Sequence, residues 1–157
     1  MDLITVAMKL KKGDVFRIKT KIGYGFLQYI ETDDLGIEYV RVLESISENG
    51  ILSQREVECL ERWCIGFPLK AAERRKIVEK VGNFDLPQSF INYEHVRAEH
   101  NIRGEKIGWH IVNKASLKRE LKQNLDAHDR KLSPHGIMND TLSISMLEEN
   151  WRLQDWV

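Results

Sequence analysis

Cysteine, proline and long apolar runs are scarce in this chain, and each scarcity sets a limit. The 157 residues include two cysteines, Cys59 and Cys64, five positions apart. One close pair is not the framework of a disulfide-stapled secreted domain, so the expectation is a reduced, cytoplasmic protein. No apolar run approaches the ~20 residues of a membrane-spanning helix. Residues 1–12 are too short and too mixed for a signal peptide. The three prolines, Pro68, Pro87 and Pro134, act only as breaks between patterned segments. Net charge is also lacking, with 24 basic against 24 acidic residues. A dedicated nucleic-acid binder presents one dominant basic face, which this balance argues against.

Recognisable catalytic and metal signatures are lacking too. Of the five histidines (His95, His100, His110, His128, His135), His95 and His100 are five apart, which does not stack them on one helical face, and the two cysteines form a single isolated pair, so no zinc site is expected. Cys59 falls near the end of an acidic helix and Cys64 in an apolar strand, so neither context favours a thiolate nucleophile. Gly23-Tyr24-Gly25 lacks the lysine and serine or threonine of a phosphate loop. The expectations are therefore no metal, no cofactor, no catalytic residue and no enzyme.

What is present is a well-patterned opening. Phe16 and Ile18 alternate with Val15, Arg17 and Lys19. Residues 26–30 and 37–43 continue as two further strands around the polar turn at 32–36. Gly23 and Gly25 inside that pattern predict a bulge or tight bend. Ser53 with Glu56 has the form of a capping box and predicts a helix over about 55–62, with Val57 and Leu60 inward. Residues 63–67 read as a fourth strand. Ala71 to Val81 has helical spacing, with Gly82 as its cap. Residues 107–112 read as a strand. Leu117, Leu121 and Leu125 recur every four residues, which favours a helix over 114–125, although a hairpin partner is also compatible. Asn139-Asp140 opens a last helix to about residue 150. Together these predict one α+β domain spanning residues 1–157. Its N-terminal part, about 12–68, would be a small bent antiparallel SH3-like sheet or partial barrel. A helical and strand part over about 69–157 would complete it, with three to four helices packed on the sheet.

The zero net charge hides patches of both signs. Residues 31–61 carry nine acids against Arg41 and Arg55, while residues 94–135 are mildly basic. An acidic hairpin and helix of this kind can be a docking face, where charge contributes steering and specificity. The candidate contact residues are Glu31, Asp33, Asp34, Glu38, Glu56 and Glu58.

The order of landmarks resembles the immunity-protein-26 type family of bacterial polymorphic toxin systems. The resembling stretches are Lys12 to Phe16, Gly23-Tyr24-Gly25, Phe67-Pro68-Leu69, Val81-Gly82 and Leu86-Pro87. Gly108 to Val112, Leu132 to Asn139 and the tail Leu142 to Trp151 complete the series, which spans residues 11–151. Residues 44–62 depart from it, with an acidic helix where a shorter connection is expected. The resemblance implies a non-enzymatic, cytoplasmic protein that neutralises a cognate toxin by binding it, with no catalytic residue to carry over. The alternative is a small nucleic-acid-binding module on an SH3-like sheet, with Arg74, Arg75, Lys76, Lys118, Arg119 and Lys122 meeting phosphates.

Overall fold

The computed structural model describes residues 9–157. Most of the stretch excluded as a signal peptide therefore lies outside the described residues. The alternating opening forms three consecutive antiparallel strands: β1 (Asp14–Thr20), β2 (Gly23–Thr32) and β3 (Glu38–Val42). The apolar segment after the capping box forms β4 (Trp63–Gly66), which pairs with β3. A fifth strand, β5 (Val78–Asn83), closes the other edge beside β1, giving the order β4-β3-β2-β1-β5.

Both faces of this sheet are covered. Phe16, Ile18, Leu27, Val40, Val42 and Trp63 belong to the main core. Val15, Phe26, Leu43 and Val57 form a second cluster, closed by Leu52, Val81 and Phe84. Gly25 serves packing: a Cβ there would lie 2.6 Å from Leu147 Cδ1, so its bare backbone admits the last helix.

A second antiparallel sheet follows, in the order β6-β7-β8, from β6 (His95–Ile102), β7 (Glu105–Asn113) and β8 (Arg119–Lys122). Arg103 and Gly104 make its first turn with φ of 52° and 81°, the positive pair a two-residue hairpin needs. The loop Ser133 to Met138 stitches the sheets together. Its backbone accepts from Arg97 N and donates to Arg97 O through His135, and it exchanges hydrogen bonds with Gly66 in the same way.

The expected α+β architecture is therefore wrong. The described chain is mainly β, in two antiparallel sheets, with three short helices: α1 (Gln54–Val57), α2 (Leu69–Arg74) and α3 (Asp140–Glu148). The capping box at α1 is formed as expected, with both Ser53 and Glu56 engaged. The helix it opens is one turn long, and Leu60 is exposed rather than inward. The helix expected over 71–81 ends at Arg74. Lys76 takes a left-handed φ of 61°, Ile77 N donates to Ala72 O, and the chain leaves as β5. These are the hydrogen bonds of a Schellman cap, with lysine in the glycine position. The segment 114–125 is likewise the hairpin alternative: Leu117 turns the chain at φ 62°, and 119–122 pairs with β7. Asn139 caps α3 by accepting from Leu142 N at 2.8 Å, as its position predicts. No helix among the described residues is long and apolar enough to cross a membrane.

Candidate functional site

Two clefts open where the sheets meet, and Asn92, Tyr93 and Lys114 line both. The smaller, of about 410 Å³, lies against the β2–β3 hairpin. Three of the predicted contact residues, Glu31, Asp33 and Asp34, stand in its wall. Glu94 adds a fourth carboxylate, against the single cation Lys114. Tyr39 and Tyr93 supply aromatic surface, and Leu35 stands 72% exposed at the hairpin tip.

The six predicted residues do not behave alike. Asp33 holds the hairpin itself: its carboxylate accepts from Leu35 N at 3.0 Å and Ile37 N at 2.8 Å, and from the Tyr39 hydroxyl. Burial and the Asp33 charge together push the Tyr39 phenol above its ordinary pKa. Glu31 accepts from Asn92 Nδ2 at 3.0 Å, and Asn92 in turn accepts from Lys114 Nζ at 3.0 Å. That chain of contacts ties the acidic hairpin to the second sheet. Asp34 is exposed and makes no side-chain hydrogen bond among the described residues. Glu38 faces elsewhere, accepting from Lys70 N at the start of α2. Glu56 is spent in the α1 capping box, and Glu58 accepts from Gln54 at 3.4 Å. Neither Glu56 nor Glu58 lines the acidic groove. The structure thus gathers Glu31, Asp33 and Asp34 and separates the other three.

The basic residues of the nucleic-acid alternative are split as well. Arg74 to Lys76 close α2 beside the first sheet, while Lys118 to Lys122 run into β8 of the second. Lys122 is already paired with Asp129 at 2.8 Å.

The larger cleft holds about 650 Å³ and runs along β4 toward the C-terminal tail. Sequence patterning did not foresee it, because its walls come from loops and strand ends of both sheets. Cys64 lies in it, with its thiol pushed above the ordinary range by burial and by nearby Glu61. A thiol held protonated is a poor nucleophile. Glu44 is held below the usual carboxylate range by hydrogen bonds from Arg152, one of them at 2.8 Å.

Two buried arginines frame these clefts, and neither was foreseen. Arg41 on β3 is fully buried. It donates to Gln28, to the carbonyls of Val57 and Cys59, and pairs with Glu61 at 3.6 Å. Arg97 on β6 is fully buried too, and donates to the carbonyls of Leu132, Arg130, Leu153 and Trp156. Its guanidinium lies over the rings of Trp109 and Trp156. The available signal was positional: each arginine sits mid-strand between apolar neighbours. Among the described residues, no group of three or more histidines, cysteines or carboxylates is placed to hold a metal ion. Comparisons of the chain with models of protein families, with curated proteins and with solved structures give no match.

Proposed function

We propose that this protein is a non-enzymatic binding protein that neutralises a basic partner protein, as the immunity-protein-26 resemblance implies. The observation that supports this most is the acidic groove at the β2–β3 hairpin. Glu31, Asp34 and Glu94 face a single cation there, beside two tyrosines and the exposed Leu35. Acidic charge speeds encounter with a cationic surface, and buried aromatic and aliphatic contacts supply the lasting affinity. The hairpin is held in shape by Asp33 and anchored through Asn92, so it is preorganised for docking.

The test is co-purification with the protein encoded by the neighbouring reading frame, together with protection of cells from that protein. A complex is expected whose association slows as salt rises. The double reversal Glu31→Lys and Asp34→Lys should weaken it at least about tenfold. Failure to capture or protect against any neighbour-encoded protein overturns the reading. Retention of the parent chain on mixed DNA that is lost when Lys118 and Arg119 are reversed to glutamate would do the same, and would favour the nucleic-acid alternative.

A further inference from the structure

The larger cleft has a chemistry opposite to that of the acidic groove. Its volume of about 650 Å³ falls within the roughly 300–1,000 Å³ that accommodates drug-sized ligands. Buried Trp63 and Val96 line it together with Leu60, Ile91 and Leu153. Leu60 and Ile91 are exposed, at 78% and 59%, although each stands at the opening of a concave apolar surface.

The charges around that surface do not cancel. Both acids in the wall are already engaged: Glu44 by the Arg152 guanidinium and Glu61 by Arg41. Four cations of the lining, Arg62, Lys114, Arg130 and Lys131, form no ion pair among the described residues. Arg62 is buried, with its donors spent on Glu44 O and Asn150 Oδ1, so it contributes positive charge rather than free hydrogens. Arg130 and Lys131 are neighbours in a short 3-10 turn, exposed, and their side chains make no hydrogen bond among the described residues. An arginine fork beside a lysine matches a carboxylate or phosphate group, and a partly enclosed apolar wall strengthens that attraction.

We propose that this cleft binds a small organic anion. The charged group sits on Arg130, Lys131 and Lys114, and the apolar body lies against Leu60, Trp63 and Leu153. This site shares Asn92, Tyr93 and Lys114 with the acidic groove, and it needs no protein partner to form.

The test uses three probes on the intact chain: 2-naphthoate, ATP and inorganic tripolyphosphate, followed by calorimetry and by amide shifts in labelled protein. Saturable binding of naphthoate or ATP is expected, with shifts clustered at residues 59–64, 91–96 and 130–133. Which of the two binds more tightly separates a carboxylate from a phosphate ligand. The double reversal Arg130→Glu and Lys131→Glu should weaken binding at least about tenfold. Both side chains are exposed, so an unchanged melting curve will show that the fold is kept. Leu60→Asn should weaken naphthoate and leave tripolyphosphate unaffected. The proposal is overturned if neither organic probe binds more tightly than about 1 mM. It is equally overturned if tripolyphosphate binds as well as ATP, or if the double reversal leaves affinity unchanged.

Discussion

At the scale of single residues, the most consequential groups are buried charges. Arg41 lies directly opposite Gln28 in the β2–β3 register, and Gln28 also donates to Phe84 O at 2.9 Å. Removing the guanidinium would strand the Gln28 carbonyl, two backbone carbonyls and the Glu61 carboxylate. Arg41→Ala should therefore cost about 3 kcal/mol of stability, read as a lower urea midpoint. Arg41→Lys should recover only part of this, because an ammonium cannot reproduce the fork. Burial lowers the Arg97 pKa to about 10, still far enough above neutrality to keep the guanidinium charged. Asp14 gives a pH signature. Burial alone would push it up, but Asn83 Nδ2 at 2.9 Å, Lys11 N at 2.9 Å and Lys80 at 3.2 Å carry it below the ordinary 3.8. A carboxylate depressed in the folded state contributes stability above its unfolded pKa and loses it as pH falls through the folded value. Asp14→Asn should thus be destabilised by about 1–3 kcal/mol at neutral pH, and the gap from the parent should close below about pH 4. A gap that stays constant down to pH 2 would refute the assignment.

At the scale of elements, the strands of the first sheet were legible and two helical readings were not. Period-two alternation gave β1, β2 and β3 because each has an apolar face toward the main core. The burial of Arg41 was not legible because alternation cannot see the second layer, Val57 and Leu43, which covers that side. The 71–81 reading failed for a different reason. Ile77 and Val78 satisfy a helical period and a strand equally, and the unpaired edge of β1 is what selects the strand. Leu121 similarly mimicked a helix repeat while pointing to solvent from an edge strand. The acidic hairpin was legible as charge. The split among its carboxylates was not, since it depends on which backbone N–H groups lie near them. Lys76 sits at φ 61° on the surface, a conformation that costs a side-chain residue about 1 kcal/mol. Lys76→Gly should therefore raise the melting temperature by a few degrees, at about 2–4 °C per kcal/mol. Gly108 behaves oppositely, since a Cβ there would lie 2.5 Å from Lys122 O. Gly108→Ala should detach β8, seen as faster hydrogen exchange at 119–122 with β1 to β3 unchanged.

At the scale of the whole molecule, the C-terminal tail is the clasp between the two sheets. Trp151 packs edge-on against Trp63 of β4, with ring centroids 5.2 Å apart, and Arg152 pairs with Glu44 beyond β3. Five residues later Trp156 packs edge-on against Trp109 of β7 at 4.9 Å, and its indole donates to Glu99 at 2.9 Å. The second sheet depends on this tail. Its core cluster has four buried members, Trp109, Ile111, Leu125 and Leu132, with Trp156 and Tyr93 packed against them. Two of the four carbonyls that satisfy buried Arg97 also come from the tail, Leu153 O and Trp156 O. The first sheet has a larger core and its own helix, α3, and loses only the Trp151 and Leu153 packing and the Arg152–Glu44 pair if the tail is absent. A chain cut after Asn150 should therefore keep protected amides in β1 to β3 while β6 to β8 exchange freely, and Trp156→Ala should move partway to that state. Because the larger cleft takes Arg152 and Leu153 from the tail, the same cut should abolish naphthoate or ATP binding, and should weaken rather than abolish partner binding at the hairpin, whose Glu31, Asp33 and Asp34 stay on the first sheet. Uniform loss of protection across both sheets would instead show that the molecule unfolds as a single cooperative unit.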